Sequence, residues 1–288
     1  MTTQELFSLK GKVALITGGR AMYGKGATLA LADAGADIYL ASHTIESAKE
    51  FVEELKREKG VKVEAIAFDQ GDIASIENLV QTVIDKAGRI DVFVNCSRIL
   101  PHGHGGTGWE EDPEAMDDGV RINTSASLYM NQLVGRQMIS QKSGSIITFG
   151  SMMGLIGIEE NNYGGNPQMA AGAHGHIYSL DKSGVTSWVR HAAAYYGRYG
   201  IRVNALCPGG LRSDRTNPVF EKEYSKHTML GRLADGDDIK GPIALLASDA
   251  GKYLTGLSIP VDGGYTCEYR NAGPWRRQSP DHAHPGCR

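Results

Sequence analysis

Cysteine is scarce in this chain: four residues, Cys96, Cys207, Cys267 and Cys287, are scattered over 288 positions. None forms a Cys-x-x-Cys pair or takes zinc spacing with a histidine, so neither a disulfide framework nor a structural metal is expected. Free thiols in a reducing cytoplasm are the expectation instead. Long apolar runs are missing too. No stretch approaches the ~20 residues that span a bilayer, and the segment Met1–Phe7 lacks the basic and apolar regions of a signal peptide. Charge of one sign is not in excess either. Thirty basic residues stand against thirty-three acidic ones, which removes any global electrostatic reason to bind nucleic acid. Proline is limited to 10 residues, and no Gly-X-Y period or low-complexity tract accompanies it.

Glycine is what the sequence has in plenty, 37 residues, close to twice the ~7% of ordinary proteins. Such an excess marks turns and places where backbone must approach something closely. Apolar residues make up 41% and charged residues 22%, enough for one large core without staples. From Lys12 onward a short apolar run, a glycine-bearing turn and a longer amphipathic segment alternate. The runs at 13–16, 38–40, 63–68, 90–94, 145–149, 202–206 and 258–261 are expected as strands. The segments at 27–34, 47–59, 76–87, 114–141, 178–199 and 237–247 are expected as helices. Alternation of this regularity implies an α/β fold with a mostly parallel seven-stranded sheet covered by helices on both faces. No linker composition interrupts it before the polar tail at 267–288, so residues 1–266 are expected as a single domain.

The first strand leads into Thr17-Gly18-Gly19-Arg20-Ala21-Met22-Tyr23-Gly24-Lys25-Gly26 and then a helix. Glycines there let backbone N–H groups approach a pyrophosphate at a helix N-terminus, which itself favours negative charge. Tyr178 and Lys182 are four apart on an expected helix and share a face. A tyrosine hydroxyl titrates near ~10, and a neighbouring ammonium favours its phenolate, which suits proton exchange with a carbonyl or alcohol oxygen. Together with Asn123, Ser151, Pro208-Gly209 and the closing Pro260-Val261-Asp262-Gly263-Gly264, the chain resembles the short-chain dehydrogenase/reductase family over residues 7 to 265.

The resemblance implies a doubly wound, Rossmann-like fold and an NAD(P)-dependent oxidoreductase that interconverts a secondary alcohol and a ketone. It implies Tyr178 as general acid/base, Lys182 as its cationic partner on the nicotinamide ribose, Ser151 on the reacting oxygen and Asn123 in the proton relay. It further implies a cofactor groove of Gly18, Arg20, Met22, Tyr23, Gly24, Ser42, His43, Asp69, Gln70, Asn95 and Ser97, closed by Pro208, Gly209, Leu211 and Ser213. Ser42 stands where the family carries an acidic residue that selects NAD, so NADP(H) is favoured over NAD(H), with Arg20 and His43 as further phosphate contacts. A mobile lid over 209–233 and a homodimer or homotetramer packed on the two longest helices are also implied. A nucleotide-binding scaffold without catalysis, and a non-redox epimerase or dehydratase use of the same fold, stay open as alternatives.

Three positions depart from the family pattern. Met22 occupies the second glycine of the turn. Arg98, in Asn95-Cys96-Ser97-Arg98, replaces a glycine beside the nicotinamide; it is either solvated or aimed at an anionic substrate. Ser151 and Tyr178 are 27 apart, about twice the family's separation, and the insertion over 154–176 carries Glu159, Glu160, Asn161, Asn162, Tyr163, His174 and His176. Its polarity favours a polar, hydroxylated small-molecule substrate, because loops between catalytic residues line the pocket. Its two histidines lack an identifiable third ligand, so no metal is expected.

Overall fold

The first strand, β1 (Val13–Thr17), is buried along its whole length, as an apolar run flanked by helices on both faces must be. In a computed structural model, which describes residues 1–99, 111–157, 162 and 176–267, six further strands join it. They are β2 (Asp37–Ser42), β3 (Val63–Ala67), β4 (Val92–Asn95), β5 (Gly144–Phe149), β6 (Ile201–Pro208) and β7 (Ser258–Val261). Their order is β3-β2-β1-β4-β5-β6-β7, and every adjacent pair is parallel. The chain thus winds outward from β1 in one direction and, after the crossover to β4, in the other.

The helices are α1 (Thr3–Leu6), α2 (Met22–Asp33), α3 (Lys49–Lys59), α4 (Ile73–Ala87), α5 (Pro113–Gly119), α6 (Ala126–Gln141), α7 (His176–Tyr196), α8 (Pro218–Ser225) and α9 (Lys240–Ala247). Alternate strand residues feed two cores. Ile16, Ile38 and Leu40 pack with Leu31, Phe51 and Leu55 of α2 and α3 and with Ile243 of α9. Leu15, Tyr39 and Phe93 pack on the other face with Leu79 of α4, Val134 of α6 and Val189 of α7. Each such apolar side chain contributes about 1.5–3 kcal/mol on burial.

Two expected elements differ. The helix expected from residue 27 begins at Met22, so part of the glycine-rich turn is its first turn. The helix expected over 114–141 is broken into α5 and α6 by a wider turn, a π-helical segment over Val120–Ser125. Segment 209–233, read only as a lid, contains α8, started by the Asn217 side chain on the Val219 N–H and by Pro218 at the first turn.

Candidate active site

Parallel strands place all their C-terminal ends on one edge of the sheet, and the groups gathered there come from loops that follow β1 to β6. Thr17, the last residue of β1, organises the centre. Its buried hydroxyl lies 3.2 Å from Asn95 Oδ1 and accepts the N–H groups of Cys96 and Ser97, each at 3.3 Å. Asn95 in turn donates to Ser127 Oγ at 2.9 Å. Asn95 therefore ties strands to α6, and it is the backbone of Cys96 and Ser97 that faces the glycine turn. An ideal Cβ on Gly18 would lie 2.9 Å from the Cys96 carbonyl carbon. One on Gly24 would lie 2.0 Å from the Gly18 carbonyl oxygen. Only glycine fits this cradle.

Helix α2 starts above the cradle with no side-chain cap on its first N–H groups, an arrangement suited to an anion. Met22 is exposed there and adopts φ +50°, the left-handed conformation that a glycine takes without strain. Tyr23 points away from solvent, and its hydroxyl donates to the Gly209 carbonyl at 3.1 Å. Burial pushes its pKa well above the usual phenol range. Tyr23 thus joins the turn after β1 to the turn after β6, while Gly209 is held to Val261 at 3.0 Å and Leu211 bridges to Ala234. Ser213 remains exposed and bonds Thr216.

Beside the glycine turn lies a cavity of about 200 Å³ lined by Gly18, Arg20, Ala41, Ser42, His43, Phe68, Gln70, Ser97 and Ile99. Its described lining holds apolar faces and two basic side chains but no carboxylate. Arg20 rests on its rim with Nη1 donating to the Ser47 carbonyl at 2.6 Å, and the Ser42 hydroxyl donates to the Thr44 carbonyl at 2.9 Å. Asp69 lies next to the cavity without lining it; its carboxylate accepts the Gly71 N–H at 2.8 Å. The glycine cradle, the uncapped helix and this cavity adjoin one another and form one groove.

At the far end of the groove, Ser151 follows β5 and is buried. Its hydroxyl oxygen accepts the Met153 N–H at 3.1 Å, which leaves the hydroxyl proton to donate. The turn after Ser151 lies directly on α7, since a Cβ on Gly154 would stand 2.4 Å from the Lys182 carbonyl oxygen. From α7, Lys182 donates to the Phe149 carbonyl at 2.8 Å, and its Nζ lies 5.9 Å from the centre of the Tyr178 ring. Burial lowers the Lys182 pKa from the ordinary lysine value. Lys182 therefore stands beside Tyr178, and the turn that follows Ser151 packs on the same helix despite the separation in sequence. The inserted residues between them, apart from 154–157, Asn162 and His176, lie outside the described residues, as does the tail beyond Cys267.

Asn123 sits within the wide turn. Its Oδ1 accepts the Ile99 N–H at 2.9 Å and its Nδ2 donates to the Ile99 carbonyl at 2.8 Å, so it clamps the loop after β4. The preceding carbonyl, Ile122, accepts Gln70 Nε2 at 2.9 Å. The following hydroxyl, Thr124, bonds the buried carboxylate of Asp181. Thr17, Thr124 and Asp181 were missed in the sequence. Asp181 directly precedes Lys182, and burial raises its carboxyl pKa. Arg98 is partly buried, and its guanidinium carbon lies 4.7 Å from the centre of the Tyr178 ring.

The all-parallel, doubly wound sheet and the glycine turn after β1 are those of a Rossmann-like fold. A family profile described as Enoyl-(Acyl carrier protein) reductase matches residues 23–266, and the chain belongs to the short-chain dehydrogenase/reductase family. It is 32% identical over 269 residues to an L-rhamnose-1-dehydrogenase of Scheffersomyces stipitis, covering 89% of this chain and 96% of that one. It is 31% identical over 268 residues to an NADP-dependent mannitol dehydrogenase of Hypocrea jecorina, covering 91% and 95%. Among solved structures, a gluconate 5-dehydrogenase from Burkholderia cenocepacia in complex with NADP and tartrate superposes with a TM-score of 0.79 at 26% identity, covering 93% of this chain and 100% of that one. The chain is an NAD(P)-dependent oxidoreductase acting between alcohol and ketone. Among the described residues no helix is long and apolar enough to cross a membrane.

Proposed function

We propose that this enzyme oxidises or reduces a polar, hydroxylated small molecule, with Tyr178 moving the proton of the reacting oxygen. One observation carries the reading: Lys182, anchored on the Phe149 carbonyl, stands beside the Tyr178 ring. A bound nicotinamide would supply or accept the hydride. Ser151 donates a hydrogen bond to the substrate oxygen and fixes the carbonyl carbon. Tyr178 gives that oxygen its proton in reduction and removes it in oxidation. The Lys182 ammonium favours the negative charge that the ring oxygen acquires as its proton leaves. Asn123 acts one step back, by holding the loop that carries Ser97 and Arg98.

NADP(H) is the preferred cofactor in this reading, because Arg20, Ser42 and His43 line the cavity and no carboxylate there opposes a 2′-phosphate. The free thiols of Cys96, Cys207 and Cys267 support a reducing compartment such as the cytoplasm. Tyr178→Phe tests the central role. Turnover should fall at least ~100-fold, while NADPH and NADH binding, followed by nicotinamide fluorescence, should stay within about twofold of the unaltered enzyme. Undiminished turnover in that variant would remove Tyr178 from the mechanism.

A further inference from the structure

Arg98 carries one unpaired guanidinium edge beside Tyr178. Its Nε and Nη2 are both buried, and neither has a hydrogen-bond partner among the described residues. These two nitrogens form one edge of the guanidinium, with parallel N–H groups spaced for the two oxygens of a carboxylate. A desolvated cation with that edge unfilled is unfavourable unless an anion meets it. Among the described residues, the carboxylates of Asp181 and Glu111 lie in its field. Asp181 takes the Thr124 hydroxyl on Oδ1, and its Oδ2 is itself buried without a partner. Glu111 accepts the Ile177 N–H at 3.3 Å. Neither supplies a hydrogen bond to Nε or Nη2. Stacked 4.7 Å from the centre of the Tyr178 ring, the guanidinium stands beside the residue assigned to the reacting oxygen.

We propose that Arg98 receives a carboxylate of the substrate, so that the preferred substrates are hydroxy acids and the matching keto acids rather than neutral polyols and ketoses. The inference rests on the assignment of Tyr178 to the reacting oxygen. The carboxylate takes no part in the bond changes; it orients the carbinol carbon by a paired, water-poor contact. Asp181 then has a second use, since its unpaired oxygen beside the same cation would disfavour an anion seated out of register.

The test uses the full chain loaded with oxidised cofactor and two probes, tartrate and threitol, which differ only in carboxylate against hydroxymethyl ends. Calorimetry should show tartrate binding at least ~10-fold tighter than threitol, and Arg98→Gln should erase that difference. Arg98→Lys, which keeps the charge and loses the fork, should keep only part of it. In steady state, the ratio of kcat/KM for a keto-aldonate over that for a ketose of equal length should fall ~100-fold in Arg98→Gln. Equal binding of tartrate and threitol to the unaltered enzyme would overturn the proposal, as would an equal loss on both substrates in either variant. Absence of turnover on both classes, with tartrate still bound through Arg98, would instead count against the reading of Tyr178.

Discussion

Met22 carries the plainest conflict between side chain and backbone in the molecule. It holds φ +50° at the first turn of α2 while its side chain is 62% exposed, so nothing in the core repays the left-handed conformation, which costs about 1–2 kcal/mol for a residue with a Cβ. Met22→Gly removes that strain and gives back about 0.4–1 kcal/mol through the freer unfolded chain. The melting temperature should therefore hold or rise by a few degrees. The same change opens the approach to the uncapped α2 N–H groups, and the dissociation constant for NADPH should drop severalfold in a fluorescence titration; weaker binding would contradict this account. Position 22 was legible in the sequence because the spacing of Gly18 and Gly24 around it is a backbone requirement. Arg98 was legible as an anomaly but not in its placement, because whether an arginine reaches water or a tyrosine ring depends on chain 80 residues away. Thr17 and Asp181 gave no signal at all. Each is an ordinary polar residue in an apolar or charged context, and only the sheet and the π-helical turn give it partners.

Among the elements, the segment after β6 shows how a loop is held down. The buried Tyr224 hydroxyl of α8 accepts the Gly210 N–H at 2.7 Å and lies 2.9 Å from Met152 Sδ, while its ring stacks 4.8 Å from Tyr265. Tyr224→Phe keeps the rings and strips one acceptor, leaving the Gly210 N–H unanswered at about 1–3 kcal/mol. For a chain of this size that is ~2–4 °C of melting temperature per kcal/mol. The KM for substrate should rise while the cofactor dissociation constant stays nearly constant, since Gly209 remains tied to Tyr23. A variant with unchanged stability and KM would show that α8 is not fastened through this hydroxyl. The strands were readable because buried parallel strands are continuous apolar runs. Helix interiors were readable from their apolar stripes. The break at Val120–Ser125 was not, since a change of hydrogen-bond register within a helix leaves no mark in hydrophobic spacing. Asn217-Pro218, the cap and first turn of α8, went unread, because no periodicity follows within eight residues.

At the scale of the whole molecule, we propose that α6 and α7 form the surface by which two copies pair. A groove of about 690 Å³ runs between them, lined by Leu128, Tyr129, Arg136, Trp188, His191 and Tyr195. Leu128 and Tyr195 remain 37% and 47% exposed, a combination of aromatic, apolar and arginine side chains that suits an interface core. Leu128→Asp combined with Tyr195→Glu should reduce the mass seen by light scattering to that of one chain, 31.0 kDa. An unaltered assembly would place the contact elsewhere. The far edge of the sheet, where Asp91 accepts the Val13 N–H and pairs with Arg89, contributes none of the candidate catalytic residues, as expected when strands all point one way.

The wide turn at Val120–Ser125 also sets the angular phase of everything after it. Three consecutive residues there meet three different neighbours: Ile122 the loop after β3, Asn123 the loop after β4, Thr124 helix α7. A straight α-helix advances ~100° per residue, so removing one residue from this turn would swing α5 by about that angle relative to α6. The Gly119 backbone would then leave the side chain of Ile177, against which it fits. One surplus residue thus serves as a rotary joint, letting the front of the segment aim at the groove while the rear stays in phase with the core. A single-residue deletion here, invisible in charge and composition, would uncouple the two.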